Sequence, residues 1–164
     1  MNIKIIDFVN HYIYWLDNHF GMEFQFPCYQ QNNASVFSKF SEPICPTSDP
    51  NYKKLSGSCF YFETSKKTHS DAKESCKTKF GPGSTGRLFE PRSSIMNQEV
   101  FNEATKISQI NANDALWMGI TNFRDNSVFE YESDGQAVIS GLWDTDPQQP
   151  NDHNTHHCVL MDEG

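Results

Sequence analysis

A chain of 164 residues, 37% hydrophobic and 13% aromatic, is long enough to bury one modest core and too short for two ordinary domains. Thirteen basic residues against 21 acidic ones give a formal net charge of -8, which excludes the electrostatic footprint needed to bind nucleic acid or an anionic membrane surface. Five cysteines in so short a chain point to an oxidising compartment, and the odd number leaves at least one without an intramolecular partner.

The most apolar N-terminal stretch, Ile3 to Phe20, is interrupted by Asp7, Asn10, His11, Asp17 and Asn18. It predicts no membrane span, and with no basic leader and no small-residue cleavage site it predicts no signal peptide either. Residues 1–40 carry no sustained period and read as an N-terminal tail of unknown role, with Asn33-Ala34-Ser35 a glycosylation sequon that matters only in the secretory pathway. The turn-rich run from Ser41 to Pro50 reads as a boundary, which places the domain over residues 41–164.

From Cys59 the pattern sharpens. Cys59-Phe60-Tyr61-Phe62-Glu63 is an aromatic, strand-like run, and Thr68 is a suitable N-cap for a helix through Ala72 and Cys76 to Phe80, ended by Gly81-Pro82-Gly83. A second helix is predicted after Ser93 or Ser94, with Ile95, Met96, Val100, Phe101, Ala104 and Ile107 on one apolar face. Short strands follow around Leu116 to Ile120, Val128 to Tyr131 and Cys158 to Met161. The fold class is α+β.

Three local patterns invite functional readings. Gly81-Pro82-Gly83-Ser84-Thr85-Gly86 has the glycine spacing of a dinucleotide-binding turn, but a helix precedes it and Pro91 follows, the reverse of the strand-to-helix context that places a pyrophosphate on a helix N-terminus. Asp152, His153, His156, His157 and Cys158 gather ligands of the kind zinc takes, although no second Cys/His pair stands at a finger spacing. No Gly-x-Ser-x-Gly or comparable signature places a base beside a nucleophile, so no enzyme is expected.

Several landmarks then occur together in order. Cys45-Pro46 stands ahead of Ser58-Cys59-Phe60-Tyr61; Thr68, Ala72 and Cys76 follow, then Arg87-Leu88, Trp117-Met118-Gly119-Ile120, Trp143, Gln149-Pro150-Asn151-Asp152 and Cys158-Val159-Leu160. This succession resembles the C-type lectin-like domain family in its long form with an N-terminal hairpin, and Trp117 to Ile120 is its most specific part. The resemblance implies two helices packed on small antiparallel sheets with a long loop region, and a Cys45–Cys59 disulfide. It implies an extracellular recognition module that binds glycans or a protein surface. Gln149, Asn151 and Asp152 are then the ligand-binding residues and the candidate calcium ligands.

In family members a proline in this loop turns flanking oxygens toward one calcium ion, which takes many hard oxygen ligands. Here Gln149 and Asn151 offer uncharged amides, and His156 stands where the family has a further acidic ligand, so the pattern implies weaker calcium binding than the family's. The chain ends at Gly164, before the family's tryptophan-asparagine-aspartate strand and last two cysteines. The expectation is therefore a partial domain over 41–164 with its C-terminal strands missing and a sheet edge uncovered. Cys28, Cys76 and Cys158 are left without assigned partners, a Cys76–Cys158 bond being one open pairing.

Overall fold

The computed structural model describes residues 13–17, 23–30, 45–46, 48–81, 85–107, 110, 115–124, 127–142 and 156–161. Strands β1 (Ile13–Asp17), β2 (Phe24–Gln30), β3 (Tyr52–Leu55) and β4 (Ser58–Lys67) precede helix α1 (His69–Cys76). Strand β5 (Gly86–Leu88), helix α2 (Ser94–Ala104), strands β6 (Leu116–Thr121) and β7 (Glu130–Tyr131), a 3-10 turn (Ser140–Leu142) and strand β8 (His156–Met161) follow.

Local chemistry sets several of these boundaries. Ser56 and Gly57 both have positive φ, 46° and 80°, the backbone twist a tight hairpin needs to turn β3 into β4. Thr68 caps α1 by accepting from the Asp71 N–H, and Ser93 caps α2 by accepting from the Met96 N–H. Helix α1 stops at Cys76 rather than Phe80, and residues 77–80 continue as turns. On α2 the buried positions are Asn97, Val100, Phe101 and Ala104; Ile95, expected on that face, is 79% exposed because it lies round the helix from them.

The strands run in the order β1-β8-β6-β2-β4-β3, with β5 paired to β2 and β7 to β6. Two largely antiparallel ladders meet where β2 runs parallel to β6 at Gln25 and Leu116. Alternation along each strand divides the core in two. Leu116, Met118 and Ile120 of β6, Val159 and Met161 of β8, and Phe60 and Phe62 of β4 join α2 in one cluster. Trp117 and Leu160 point the other way and pack with Phe26, Cys28, Leu88 and the Ala72 and Cys76 of α1. Strand β6 thus buries both faces and forms the spine of the domain.

The boundary expected near residue 40 does not separate β1 and β2 from the fold. Strand β1 pairs antiparallel with β8 from Ile13–Met161 to Asp17–His156, covering the edge that was expected to lie open. Strand β2 lies between β4 and β5, and Phe26 and Cys28 are completely buried. Cys45 is bonded to Cys59, and Cys28, not Cys158, is the partner of Cys76. The free thiol belongs to Cys158.

Candidate functional site

Gln149, Asn151 and Asp152, together with Trp143 and His153, lie outside the described residues, and nothing here positions them. Their loop enters β8 at His156, so the described structure fixes the place where that loop returns to the sheet. The end of the sheet reached there is built from three strands. Asp17, at the end of β1, is the backbone partner of His156 across a register irregularity. Beside β8, the residues that follow β6 are Asn122 and Phe123.

Two hydrogen bonds hold this end together. The Asn122 N–H donates to the His157 carbonyl at 3.3 Å, and His157 Nδ1 donates to Asn122 Oδ1 at 2.8 Å. Asn122 is buried, which makes the side-chain bond structural. Phe123 stacks on the His157 ring with centroids 5.3 Å apart and planes at 30°, yet remains 65% exposed. A large ring held in place and presented to solvent is an apolar platform, the surface that packs against the C–H face of a sugar or an apolar side chain.

The tryptophan-glycine signature serves the scaffold beneath this end. Trp117 Nε1 donates to the Lys67 carbonyl at 2.9 Å while its ring meets Phe24 and His69 edge to face. At Gly119 a Cβ would stand 2.9 Å from the Leu88 carbonyl oxygen and 2.9 Å from Glu90 Cγ, so the close approach of β6 to the segment after β5 requires glycine. Glu90, buried, accepts from the Ser133 N–H at 2.8 Å, from Ser133 Oγ at 2.5 Å and from Arg92 at 2.8 Å. Arg92 lies over the Tyr131 ring, 3.7 Å from its centroid, and reaches Asp134 at 3.0 Å. This network ties the turn after β7 to the segment leading into α2.

Among the described residues no group of three or more His, Cys, Asp or Glu side chains could hold a metal ion. Cys158 packs with Leu160 against the α1-side cluster, while the His157 ring is engaged by Asn122 and Phe123. For calcium, the described donors do not fit a hard cation: Asn122 Oδ1 already accepts from His157, and imidazole nitrogens are poor ligands for it. Burial pushes the Cys158 thiol up to about 12, with Glu132 adding to the effect, the opposite of what a nucleophile needs. Burial likewise holds the His69 imidazole below its usual pKa, against the opposing pull of the Met118 carbonyl, to which Nε2 donates at 3.0 Å.

Asp17, Asn122 and Phe123 were not singled out as site residues from the sequence. No sequence signal marked Phe123, whose exposure and place on His157 follow from the fold.

Residues 65–164 match the family model described as Lectin C-type domain. With that match covering more than half of the chain, and with two helices and a mixed sheet of several strands beneath it, the chain belongs to the C-type lectin domain family. No curated protein and no solved structure matches the chain. Domains of this family are typically extracellular recognition modules, generally without catalytic activity, that take glycan or protein ligands. No helix among the described residues is long and apolar enough to cross a membrane.

Proposed function

We propose that this chain acts outside the cell as a carbohydrate-binding recognition module, with the ligand held between the loop around Gln149-Pro150-Asn151 and the sheet end built from Asn122, Phe123 and His157. The observation that carries the reading is the Phe123 ring, braced on His157 and 65% exposed, at the point where the loop rejoins the sheet. The division of labour follows from the residue types. Amides at Gln149 and Asn151 each offer donors and an acceptor to vicinal hydroxyls, Asp152 accepts, and the Phe123 ring covers an apolar sugar face. The amides bring no negative charge and His156 replaces an acid, so binding does not depend on calcium.

A glycan array probed with the purified full chain tests this. Retention of defined glycans, unchanged by a calcium chelator and lost in the Gln149→Ala/Asn151→Ala variant, is the expected result. Retention abolished by the chelator would overturn calcium independence. Failure to retain any glycan would sink the carbohydrate reading and favour the second one, a protein-binding module that uses the same exposed ring against an apolar side chain.

A further inference from the structure

Helix α1 is held to the rest of the fold by different means at its two ends. Near its C-terminal end Ala72 and Cys76 are completely buried, and Cys76 is bonded to Cys28 of β2, so that end is fixed covalently. Its beginning is held by hydrogen bonds and one ion pair. His69, the first residue of the helix, donates from Nε2 to the Met118 carbonyl of β6 at 3.0 Å. Trp117 Nε1 donates to the Lys67 carbonyl just before the helix, and the Trp117 and His69 rings meet edge to face with centroids 5.2 Å apart. One turn further on, Lys73 Nζ lies 2.9 Å from Glu132 Oε1 in the turn after β7.

His69 is the member of this set whose charge changes near neutral pH. The neutral ring needs one N–H to satisfy Met118, and it has one. A second proton brings a positive charge to a half-buried position at a helix N-terminus, where the backbone N–H groups already present positive partial charge. The charged groups that bear on the ring are Glu132, which favours the imidazolium, and Lys73, which opposes it and already engages the Glu132 carboxylate. Asp71, the acid of the first turn, accepts from the Thr68 hydroxyl at 2.8 Å. Strand β6 presents uncharged groups to the ring, the Met118 carbonyl and the Trp117 indole, and from β8 the Cys158 thiol lies in the field of the same Glu132 and Lys73. Removal from water outweighs the help of Met118 and Glu132, so the closed arrangement holds the second proton less tightly than an exposed imidazole would.

We propose that His69 is a pH-sensitive latch: neutral, it clasps the first half of α1 to β6, and on acidification it lets that half loosen while the Cys28–Cys76 bond keeps the other end in place, uncovering the Cys158 thiol of β8. The direction follows from proton linkage. The loosened form exposes an ordinary imidazole and binds the proton that the closed form disfavours, so its share grows as the pH falls below about 6.5. One proton bound near that value limits the growth to about 25-fold between about pH 7 and about pH 5. Cys158 reports the loosening because it packs against the cluster that Ala72 and Cys76 of α1 help to form, beside the Lys73–Glu132 pair. The opening is local, since it leaves the Cys28–Cys76 bond and the α2-side core untouched.

The test follows the reaction of Cys158 with dithiodipyridine, a reagent that takes up thiols at acid as well as neutral pH, in the full chain with both disulfides intact. The protection of Cys158 is its rate in urea divided by its rate in the native protein at the same pH, which cancels the pH dependence of the reagent. It is measured for the parent and for His69→Gln, whose amide keeps a donor for Met118 and does not titrate; His69→Asn replaces it if the glutamine variant does not melt cooperatively. The parent should lose more than about threefold of its protection between about pH 7 and about pH 5, up to the one-proton ceiling of about 25-fold, while the variant stays within about threefold. A loss of about threefold or less in the parent overturns the proposal, because Glu132 then meets the charge without any opening. A loss beyond about threefold in the variant overturns it as well, because some other group then drives the change.

Discussion

Replacing Cys28 and Cys76 together by alanine asks directly whether β2 belongs to the core. The bond closes a sequence separation of 48 residues, that of Cys45–Cys59 one of 14. In the chain-entropy description, freeing the unfolded state from these closures costs about 4 kcal/mol for the longer loop and about 3 kcal/mol for the shorter. A domain's whole stability is about 5–15 kcal/mol, so either loss is large, and the Cys28–Cys76 loss is the larger. Alanine is the right replacement because both sites are completely buried and a serine would add an unpaired hydroxyl. Urea unfolding of the full chain, followed by tryptophan fluorescence, measures the difference, since Trp117 packs beside this disulfide. The reasoning is refuted if the Cys28→Ala/Cys76→Ala variant unfolds within about 0.5 kcal/mol of the parent, the range of an ordinary surface substitution. It is equally refuted if Cys76 of the oxidised native protein reacts with iodoacetamide.

Gly119→Ala sets a Cβ 2.9 Å from a backbone oxygen that cannot move aside cheaply, so the melting temperature should fall by several degrees for a cost of about 1–3 kcal/mol, and an unchanged melt would contradict the close approach. His69 holds its proton less tightly folded than unfolded, so the stability it contributes is present above about pH 6.5 and is lost as the pH falls through that value toward the folded pKa. Calorimetric melts of the parent and of His69→Gln between about pH 7.5 and pH 5 should differ in slope, the variant being flatter; parallel curves would refute it. Cys158, with its pKa near 12, should be alkylated at pH 8 about a hundredfold more slowly in the native protein than in urea, and equal rates would show that its thiol is not buried.

The parts of the fold legible in the sequence are those whose cause is local. Thr68 and Ser93 announce their helices because capping is decided within four residues, and Trp117 to Ile120 reads as a strand from its own composition. Strand β2 falls in residues 1–40, which carry no sustained period, and its Pro27 is a residue that central strands disfavour. The structure accommodates it by using the group that proline keeps, its carbonyl, which accepts from the Phe89 N–H at 2.9 Å. The partner of Cys76 was hidden for a similar reason, since Cys28 reaches it only after β2 has crossed between β4 and β5. Glu90 looks like any surface acid until Ser133, 43 residues away, is brought to it. Phe123 becomes a candidate only when the pairing of β6 with β8 sets it on His157. The loop residues Gln149, Asn151 and Asp152 remain a reading from family resemblance, and their roles are part of the proposal.

The proposed site is the end of the sheet where Phe123 stacks on His157 near the start of β8. The most direct measurement is isothermal titration of a glycan retained on the array against the parent chain and Phe123→Ala, with equal melting temperatures confirming that both are folded. Loss of the ring should weaken binding about tenfold, the equivalent of about 1.4 kcal/mol, because a side chain stacked on His157 and 65% exposed contributes to the ligand and little to the core. Equal affinities for the two proteins would contradict the account and move the binding site away from this end of the sheet.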